Sequence, residues 1–342
     1  MARRLMITVD VEALPKRAAA DHIERLIYGR FAGEEYGIGR MMELADRYGV
    51  KLVCFLDYAE TELYGDCLLD VGRDIVNSGQ DLQLHLHSYL LPRRLFVDGR
   101  VTSKRDMFVL NDSCSARCID FMLDAHAKVT ATPPIAFRGG AYRFGPAILR
   151  ALARSGVLIN SSYLPSRRDQ PFRGLGLRKQ FYWETGTLEL PVSCIAQFND
   201  SKSVVGCLKG LGRLFAYNFN ASYLAPADPQ KAVLRHHRYL NQFYETFGDD
   251  AIAVLVMHSW SFLKEDAAGC FSVVDPGAVE RFRLLLESLD GVVEVVTATD
   301  IAGNMPEKGV DVEEIAFEAA AHAQSSLLCG LIPLKSGGAS FL

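Results

Sequence analysis

Two carboxylates close to the amino terminus are the first residues of this sequence that could do chemistry. They lie in ITVDVE, where an otherwise apolar run ends. Successive side chains of a β-strand point to opposite faces, so Asp10 and Glu12 are predicted to share one face with Thr8. Burying two carboxylates is costly unless a cation or a hydrogen-bond donor meets them. The pair is therefore a candidate cation or acid–base site, although acids at strand ends also cap the helix that follows.

Two histidines end a second apolar run, in LQLHLHSY. Their spacing places His85 and His87 on one face of a predicted strand. Neutral imidazole is the commonest metal ligand of proteins and a preferred ligand of zinc. A hydrogen-bonded pair of core histidines is the alternative for this motif alone. Together with Asp10 and Glu12, however, the two histidines favour a site for a divalent metal, and zinc is the expected ion.

Two further apolar runs become polar where they end. Arg138 precedes a Gly-Gly turn in AFRGGAYRFG, and His258 ends the run AIAVLVMH two residues before Trp260. A buried guanidinium stabilises and orients a neighbouring carboxylate, and a histidine in such a place suits a general acid or base. The structural alternatives are a surface ion pair for Arg138 and a hydrogen-bonded histidine at the edge of the core for His258.

The elements that must position these residues are short β-branched runs that alternate with longer segments of helical period. The predicted strands are Leu5–Asp10, Val50–Leu56, Leu82–His87, Ile135–Arg138, Val157–Asn160, Leu188–Val192, Ile252–His258 and Val292–Val296. This alternation is typical of βα units around a parallel sheet or barrel. Because such α/β folds gather the carboxyl ends of their strands at one face, the polar strand ends are expected to converge.

The alternation of predicted strands and helices also indicates the domain organisation. Residues 1–305 are predicted to form one α/β barrel. Over about 199–250 the alternation of strand and helix patterns is interrupted. A helix that starts at Asp228-Pro229 indicates a helical insertion there. Residues 306–342 are predicted to form a C-terminal helix and tail.

The composition disfavours several classes of partner. The chain has 342 residues with 37 Lys and Arg against 41 Asp and Glu, so nothing electrostatic points to nucleic acid or an anionic membrane. No stretch reaches the roughly 18 apolar residues that span a bilayer, and the first apolar run is too short for a secretion signal. We therefore expect a cytoplasmic protein without a membrane span. The cysteines form no CxxC pair, and Cys114 and Cys118 are interpreted as part of a buried helix face.

Taken in order, ITVDVE, GQDLQLHLHSY, FRGGAYRFG, LELPVS and VLVMHSW resemble the successive motifs of the polysaccharide deacetylases, the NodB-homology family. The resemblance covers roughly residues 5–300 and implies a distorted (β/α)7-type barrel. It also implies roles for the residues that match the motifs. In that family the matching positions are a base (Asp10), metal ligands (Glu12, His85 and His87), an arginine that orients the base (Arg138) and a histidine that protonates the leaving amine (His258).

The sequence departs from the family pattern at three places. The family usually spaces its metal histidines four apart, and the position four after His85 is Tyr89. Glu12 stands one residue later than the second acid of the usual adjacent pair. The aspartate of the fourth motif has no clear counterpart, with Asn160 in that neighbourhood. These departures are typical of a divergent branch with HLH in place of the ordinary histidine pattern.

The resemblance implies metal-dependent hydrolysis of an amide, with N-deacetylation of an N-acetylated carbohydrate as the expected reaction. Tyr142 and Trp260 follow strand ends and are predicted to stack on a sugar ring, with a place in the core as the alternative for each. The alternatives are a glycoside hydrolase or non-sugar amidase on the same barrel, and a non-catalytic carbohydrate-binding relative. A retaining glycosidase needs two carboxylates about 5 Å apart with no metal between them, so metal content separates it from a deacetylase.

Overall fold

The computed structural model of the chain describes residues 2–96, 106–167, 169–198, 214–218, 220 and 227–321. Its strands are β1 (Arg4–Val11), β2 (Arg30–Phe31), β3 (Glu34–Glu35), β4 (Val53–Asp57), β5 (Asp81–Leu86), β6 (Ala136–Gly139), β7 (Ile159–Asn160), β8 (Phe181–Trp183), β9 (Leu188–Glu189), β10 (Cys194–Phe198), β11 (Leu214–Asn218), β12 (Ile252–His258), β13 (Leu263–Glu265), β14 (Phe271–Val274), β15 (Glu294–Val295) and β16 (Glu314–Ile315).

The α-helices are α1 (Ile38–Arg47), α2 (Thr61–Tyr64), α3 (Asp66–Asn77), α4 (Asp112–Ala127), α5 (Pro146–Arg154), α6 (Pro229–Phe247), α7 (Pro276–Leu289), α8 (Ala298–Gly303) and α9 (Phe317–Ala321). Short helical turns at Tyr58–Glu60, Ser88–Leu90 and Gly140–Tyr142 follow β4, β5 and β6 directly. None of the helices in the described ranges is long and apolar enough to cross a membrane.

The main sheet carries the residues singled out above. Among the described residues it has ten strands in the order β12-β1-β4-β5-β6-β7-β9-β8-β16, with β15 paired to the start of β1. Its strands run parallel except for the antiparallel pair of β8 and β9. The register places Asp10 beside His258 and His85 beside Arg138. Residues from strands far apart in the sequence therefore reach one level at the carboxyl ends of the strands.

Burial on both faces explains why the central strands are so apolar. In β1 the side chains of Leu5, Met6, Ile7, Val9 and Val11 are fully buried. Parallel strands covered on both sides read as nearly continuous hydrophobic runs, because helices or barrel interior cover each face. The polar residues at the strand ends are consequently exceptions, which need partners inside the fold.

The predicted helix starts are present with the capping chemistry that the sequence implied. The side chain of Asp228 accepts hydrogen bonds from the backbone of Gln230 and Lys231, and that of Asp275 accepts one from Gly277. Both helices have proline in their first turn. An aspartate cap satisfies amide groups that a helix leaves unpaired at its amino end.

Polar side chains just before β8 and just after β9 bridge the gap to β12. Ser193 Oγ accepts from the amide of Val254 at 2.7 Å. Gln180 accepts from the amide of Ile252 at 3.1 Å. The sheet is thus curled toward a barrel, with side chains supplying part of the closure.

The predicted alternation of strands and helices around a mainly parallel sheet is confirmed, but strand ends differ from the prediction by up to three residues, and the strands β8 and β16 of the main sheet were not predicted. Cys114 and Cys118 are buried on α4 as expected. Most of the loop part of the predicted insertion, residues 199–213, 219 and 221–226, lies outside the described residues, and so do residues 322–342 of the predicted tail. The described part of the C-terminal region adds β16 to the sheet beside β8.

Candidate active site

Glu12, His85 and His87 form a compact cluster at the carboxyl ends of β1 and β5. Each offers one ligand atom, and these atoms lie within 4.8 Å of one another. Glu12 Oε2 is 2.6 Å from His87 Nε2 and 3.4 Å from His85 Nε2. All three side chains are buried. Two imidazoles and one carboxylate with a position left open is the ligand pattern of catalytic zinc sites.

His85 gives the most direct sign that the cluster suits a cation. It is 1% exposed, and neither of its ring nitrogens has a hydrogen-bond partner among the described residues. Buried polar atoms without a partner are rare and costly, because they lose their hydrogen bonds to water. A metal ion beside Nε2 would remove part of that cost, so the donor set fits a divalent metal.

The charges of the cluster also favour a bound cation. Burial raises the pKa of Glu12, but the charge of His87 and the contacts from both histidines outweigh it and hold that pKa well below its ordinary value. Burial lowers the pKa of His87, but the carboxylates of Glu12, Asp57 and Asp10 outweigh it and raise the pKa to about 9. The cluster thus favours a positive charge, which a metal ion would supply in place of the proton.

Asp10 is held by Arg138, as the residue types suggested. Arg138 Nη1 donates to Asp10 Oδ1 at 2.7 Å and to Thr8 Oγ1 at 2.7 Å. The guanidinium is fully buried and lies 4.3 Å above the ring of Phe55. A buried cation in this position fixes one oxygen of Asp10 and leaves Oδ2 directed toward His258, whose Nε2 is 4.0 Å away.

His258 stands on the other side of the two acids. Its Nε2 lies 3.6 Å from Glu12 Oε1, and its ring stacks on Trp260 at 5.0 Å. Trp260 is only 6% exposed and packs on Phe271 as well. This packing favours a role for Trp260 in supporting His258, and it leaves little of the indole free to stack on a sugar ring.

Tyr142 lies in a strained turn beside the acids. Ala141 and Tyr142 both have positive φ, 49° and 58°, in the left-handed region that residues with a side chain seldom adopt. The same turn contains Gly140, which packs against His87. Burial, Asp10 and Glu12 raise the pKa of Tyr142. The turn therefore brings the tyrosine close to the acids, where it could contact a substrate.

Tyr89, four residues after His85, lies outside the cluster. The strand β5 ends at Leu86, and Tyr89 sits on the short helical turn that follows. Its ring meets that of His87 edge-on at 5.3 Å, and the side chain is 53% exposed. His87 reaches Glu12 instead. Tyr89 is a rim residue of the site.

Two buried acids beneath the histidines were not assigned to the site from the sequence. Asp57 accepts from the amide of His87 at 3.2 Å and from the amide of Ala59 at 3.0 Å, so it fixes a histidine and caps a turn at once. Glu60 accepts from the amide of Ala13 at 2.6 Å, next to Glu12. Burial raises the pKa of Asp57 and of Glu60. The only signal in the sequence was acids clustered behind a strand end.

Ser161, rather than Asn160, is the residue after β7 that contacts Arg138. Its carbonyl oxygen accepts from Nε and its hydroxyl accepts from Nη2, both at 2.9 Å. Asn160 donates to Glu189. Sequence reasoning missed Ser161 and Glu189, although an acid inside the apolar LELPV was a visible signal for the latter.

Comparison with known proteins supports the fold. No model of a protein family matches the sequence, and no curated protein matches it. Among solved structures, a Mycobacterium smegmatis protein assigned as a polysaccharide deacetylase is similar over 89% of this chain and 90% of its own, with a TM-score of 0.52 and 17% identity. This similarity confirms the predicted distorted (β/α) barrel, and at that identity it shows the fold alone.

Two other solved structures are similar at lower TM-scores. A carbohydrate esterase family 4 pseudoenzyme from Bacillus anthracis has 12% identity and a TM-score of 0.45, over 92% of this chain and 69% of its own. A family 4 carbohydrate esterase from Streptomyces lividans, in complex with acetate, has 10% identity and a TM-score of 0.39, over 84% and 88%.

Proposed function

We propose that this chain, which has the fold of a polysaccharide deacetylase, is a metal-dependent hydrolase that removes the acetyl group from an N-acetylated carbohydrate. The observation that carries the proposal is the convergence of two groups at one mouth of the barrel. The Glu12–His85–His87 cluster suits a cation, and Asp10, which pairs with Arg138 of β6, lies at the same strand end as Glu12.

Glu12, His85 and His87 would hold a divalent ion, with zinc favoured by two imidazoles and a carboxylate. When bound, such an ion polarises the acyl carbonyl and makes water a better nucleophile. The proton transfers would be carried out by side chains of the protein, each at its own atom of the substrate or water.

Asp10 would accept the proton of the attacking water. Arg138 holds Oδ1 at 2.7 Å, so Oδ2 remains for that transfer. His258, on the far side of the acids, would donate a proton to the departing amine. Asp10 Oδ2 and His258 Nε2 lie 4.0 Å apart, so both groups would reach one bound substrate, the base at the attacking water and the acid at the departing amine.

The substrate would be bound at the rim of the site. Tyr142 lies beside the acids, and Tyr89 is exposed over His87, so these two rings are the candidate surfaces for a sugar. Aromatic rings offer a sugar a large apolar face together with a hydroxyl for hydrogen bonding. We propose an N-acetylated sugar or a polysaccharide precursor as the substrate.

The decisive experiment is acetate release from N-acetylglucosamine oligomers and N-acetylated sugar nucleotides by the zinc-loaded protein. Asp10→Asn should lower kcat by about 10²–10⁴-fold while zinc stays bound. Asp290→Asn, an exposed aspartate after α7, is the matched control and should leave kcat unchanged.

Equal activity of wild type and Asp10→Asn would remove the proposed base. A zinc-loaded wild type that releases acetate from none of these substrates would overturn the deacetylase proposal. Sugar binding without stoichiometric metal would indicate a non-catalytic carbohydrate-binding protein instead.

A further inference from the structure

Glu189, at the end of β9, is a fully buried acid without a role in the chemistry above. Its two oxygens receive four N–H donors. Oε1 accepts from the amides of Ser162 at 3.0 Å and Tyr163 at 2.8 Å. Oε2 accepts from Trp183 Nε1 at 2.8 Å and from the side-chain amide of Asn160. A single side chain thus binds Asn160, Ser162 and Tyr163, the residues on either side of Ser161.

Residues 160–163 in turn hold the carboxyl end of β6. Ser161 accepts two hydrogen bonds from Arg138, one at its carbonyl oxygen and one at its hydroxyl, both at 2.9 Å. The hydroxyl of Ser162 accepts from the amide of Gly139 at 2.8 Å. The segment therefore fixes both the guanidinium and the backbone on which it is carried.

We propose that Glu189 is a positioning residue of the active site, which acts on Asp10 through Ser161 and Arg138. The inference rests on the proposed function, because it assigns Glu189 to the machinery of the same reaction. Among the described residues, Asp10 is the carboxylate that pairs with Arg138. Half of the hydrogen bonds that orient the guanidinium come from Ser161, so a shift of this serine would turn Nη1 away from Asp10.

An acid is required at position 189 because all four of its partners are N–H donors. A glutamine would keep one acceptor oxygen, but its NH₂ group would face two further donors and repel them. Glu189→Gln should therefore release either the amides of Ser162 and Tyr163 or the side chains of Trp183 and Asn160. Burial raises the pKa of Glu189 to about 7, against the lowering effect of the donors, so assays at pH 8 examine the ionised form.

The kinetic test compares Glu189→Gln and Ser161→Ala with wild type, using the zinc-loaded protein and the best substrate found. We expect kcat to fall by about 10–100-fold, the usual effect of losing a supporting partner, with KM changed far less and zinc content unchanged. The double variant should be no worse than the more damaged single variant, because both act through one chain of contacts.

A matched control separates positioning from loss of stability. Gln80 is a buried side chain that accepts from the amide of Leu52 at 2.7 Å, at the opposite ends of the strands. Gln80→Met should lower the free energy of unfolding without lowering kcat. If kcat falls as much in Gln80→Met as in Glu189→Gln, or stays at the wild-type value in both Glu189→Gln and Ser161→Ala, the positioning role is refuted.

A second readout needs no activity. In protein labelled with ¹⁵N-arginine, the Nε–H of Arg138 should exchange slowly with water, since it is buried and bonded to Ser161. Arg138→Lys identifies its signal. Glu189→Gln should make that exchange at least about tenfold faster, as expected for a loosened hydrogen bond.

The two readouts distinguish the two proposals. A wild type without deacetylase activity, but with exchange accelerated in Glu189→Gln, overturns the proposed function and retains the link from Glu189 to Arg138. Unchanged exchange in Glu189→Gln and unchanged kcat together overturn that link, whatever the reaction is.

Discussion

Gly140 and His87 are in direct contact at the mouth of the barrel, where the neighbouring strands β6 and β5 end. A Cβ atom built on Gly140 would lie 2.5 Å from Cγ of His87 and 2.6 Å from its Nδ1. Real Cβ atoms do not approach a ring so closely, so only glycine leaves room for this imidazole. On its other side the same ring reaches Glu12, with 2.6 Å between Nε2 and Oε2. The turn after β6 thus sets the position of a candidate metal ligand on β5.

Replacing Gly140 by alanine should therefore weaken metal binding. The added methyl group would push His87 from its position, and we expect zinc affinity to fall by about 10–100-fold, as when a partner of a metal ligand is lost. Competition with a chromophoric chelator would measure the affinity. Gly303→Ala is the control, because a Cβ there meets nothing within 4 Å. Equal zinc affinity in both variants would contradict the argument.

Metal analysis of purified protein should identify the ligands one by one. Glu12→Gln, His85→Ala and His87→Ala should each lose stoichiometric zinc, because three ligands are the minimum of a catalytic site and each removal leaves two. Tyr89→Phe should keep it, since this ring lies at the rim. Full zinc occupancy in His87→Ala, measured by atomic emission after dialysis, would remove His87 from the ligand set.

Zinc binding should release protons near neutral pH. The pKa of His87 is raised to about 9, so the imidazole is protonated at pH 7.5 and must lose its proton to bind a metal. Affinity should consequently fall as the pH decreases, and should level off above about pH 9. Calorimetric titrations of chelator-treated protein in buffers with different ionisation enthalpies would give the number of protons. Release of none from wild type would show that His87 is already neutral.

The stability of the protein should depend on pH through Glu189. Its pKa is raised from 4.5 to about 7 in the fold, so the folded state binds more protons than the unfolded state between these values. The contribution of this group is therefore most favourable below about pH 4.5 and declines as the pH rises through 7.

Glu189→Gln removes that dependence. The stability advantage of wild type over the variant should shrink by on the order of 2 kcal/mol between pH 5 and pH 8. Urea unfolding of both proteins at each pH would measure it, and a constant difference would show that Glu189 titrates normally.

The sequence predicts those parts of the site that depend on strand periodicity. Asp10 with Glu12 and His85 with His87 share faces because side chains alternate along a strand, and parallel strands bring their carboxyl ends together. Periodicity cannot decide whether His87 or Tyr89 joins His85 in the cluster, since both follow His85 by an even number of residues. The end of β5 at Leu86 decides between them, because beyond it the chain turns and carries Tyr89 outward.

The supporting contacts could not be predicted in the same way. Ser161 meets Arg138 from a loop, and loop residues carry no periodic signal. Glu189 lies in a strand of two residues, too short for alternation to show which face it occupies. The strand β16 is equally short, and two residues give no periodic signal that they will pair with β8.

The place of β16 at the border of the sheet has a consequence for how much of the chain can be removed. The amide of Tyr182 on β8 donates to the carbonyl of Glu313, and Phe317 covers the indole of Trp183 at 5.6 Å. A chain truncated after residue 305 would leave the backbone of β8 free to pair with other molecules. It would also expose the indole of Trp183 that Phe317 covers. Sheet borders of this kind template self-association. We therefore expect a chain that ends at residue 305 to self-associate more readily than one that keeps β16.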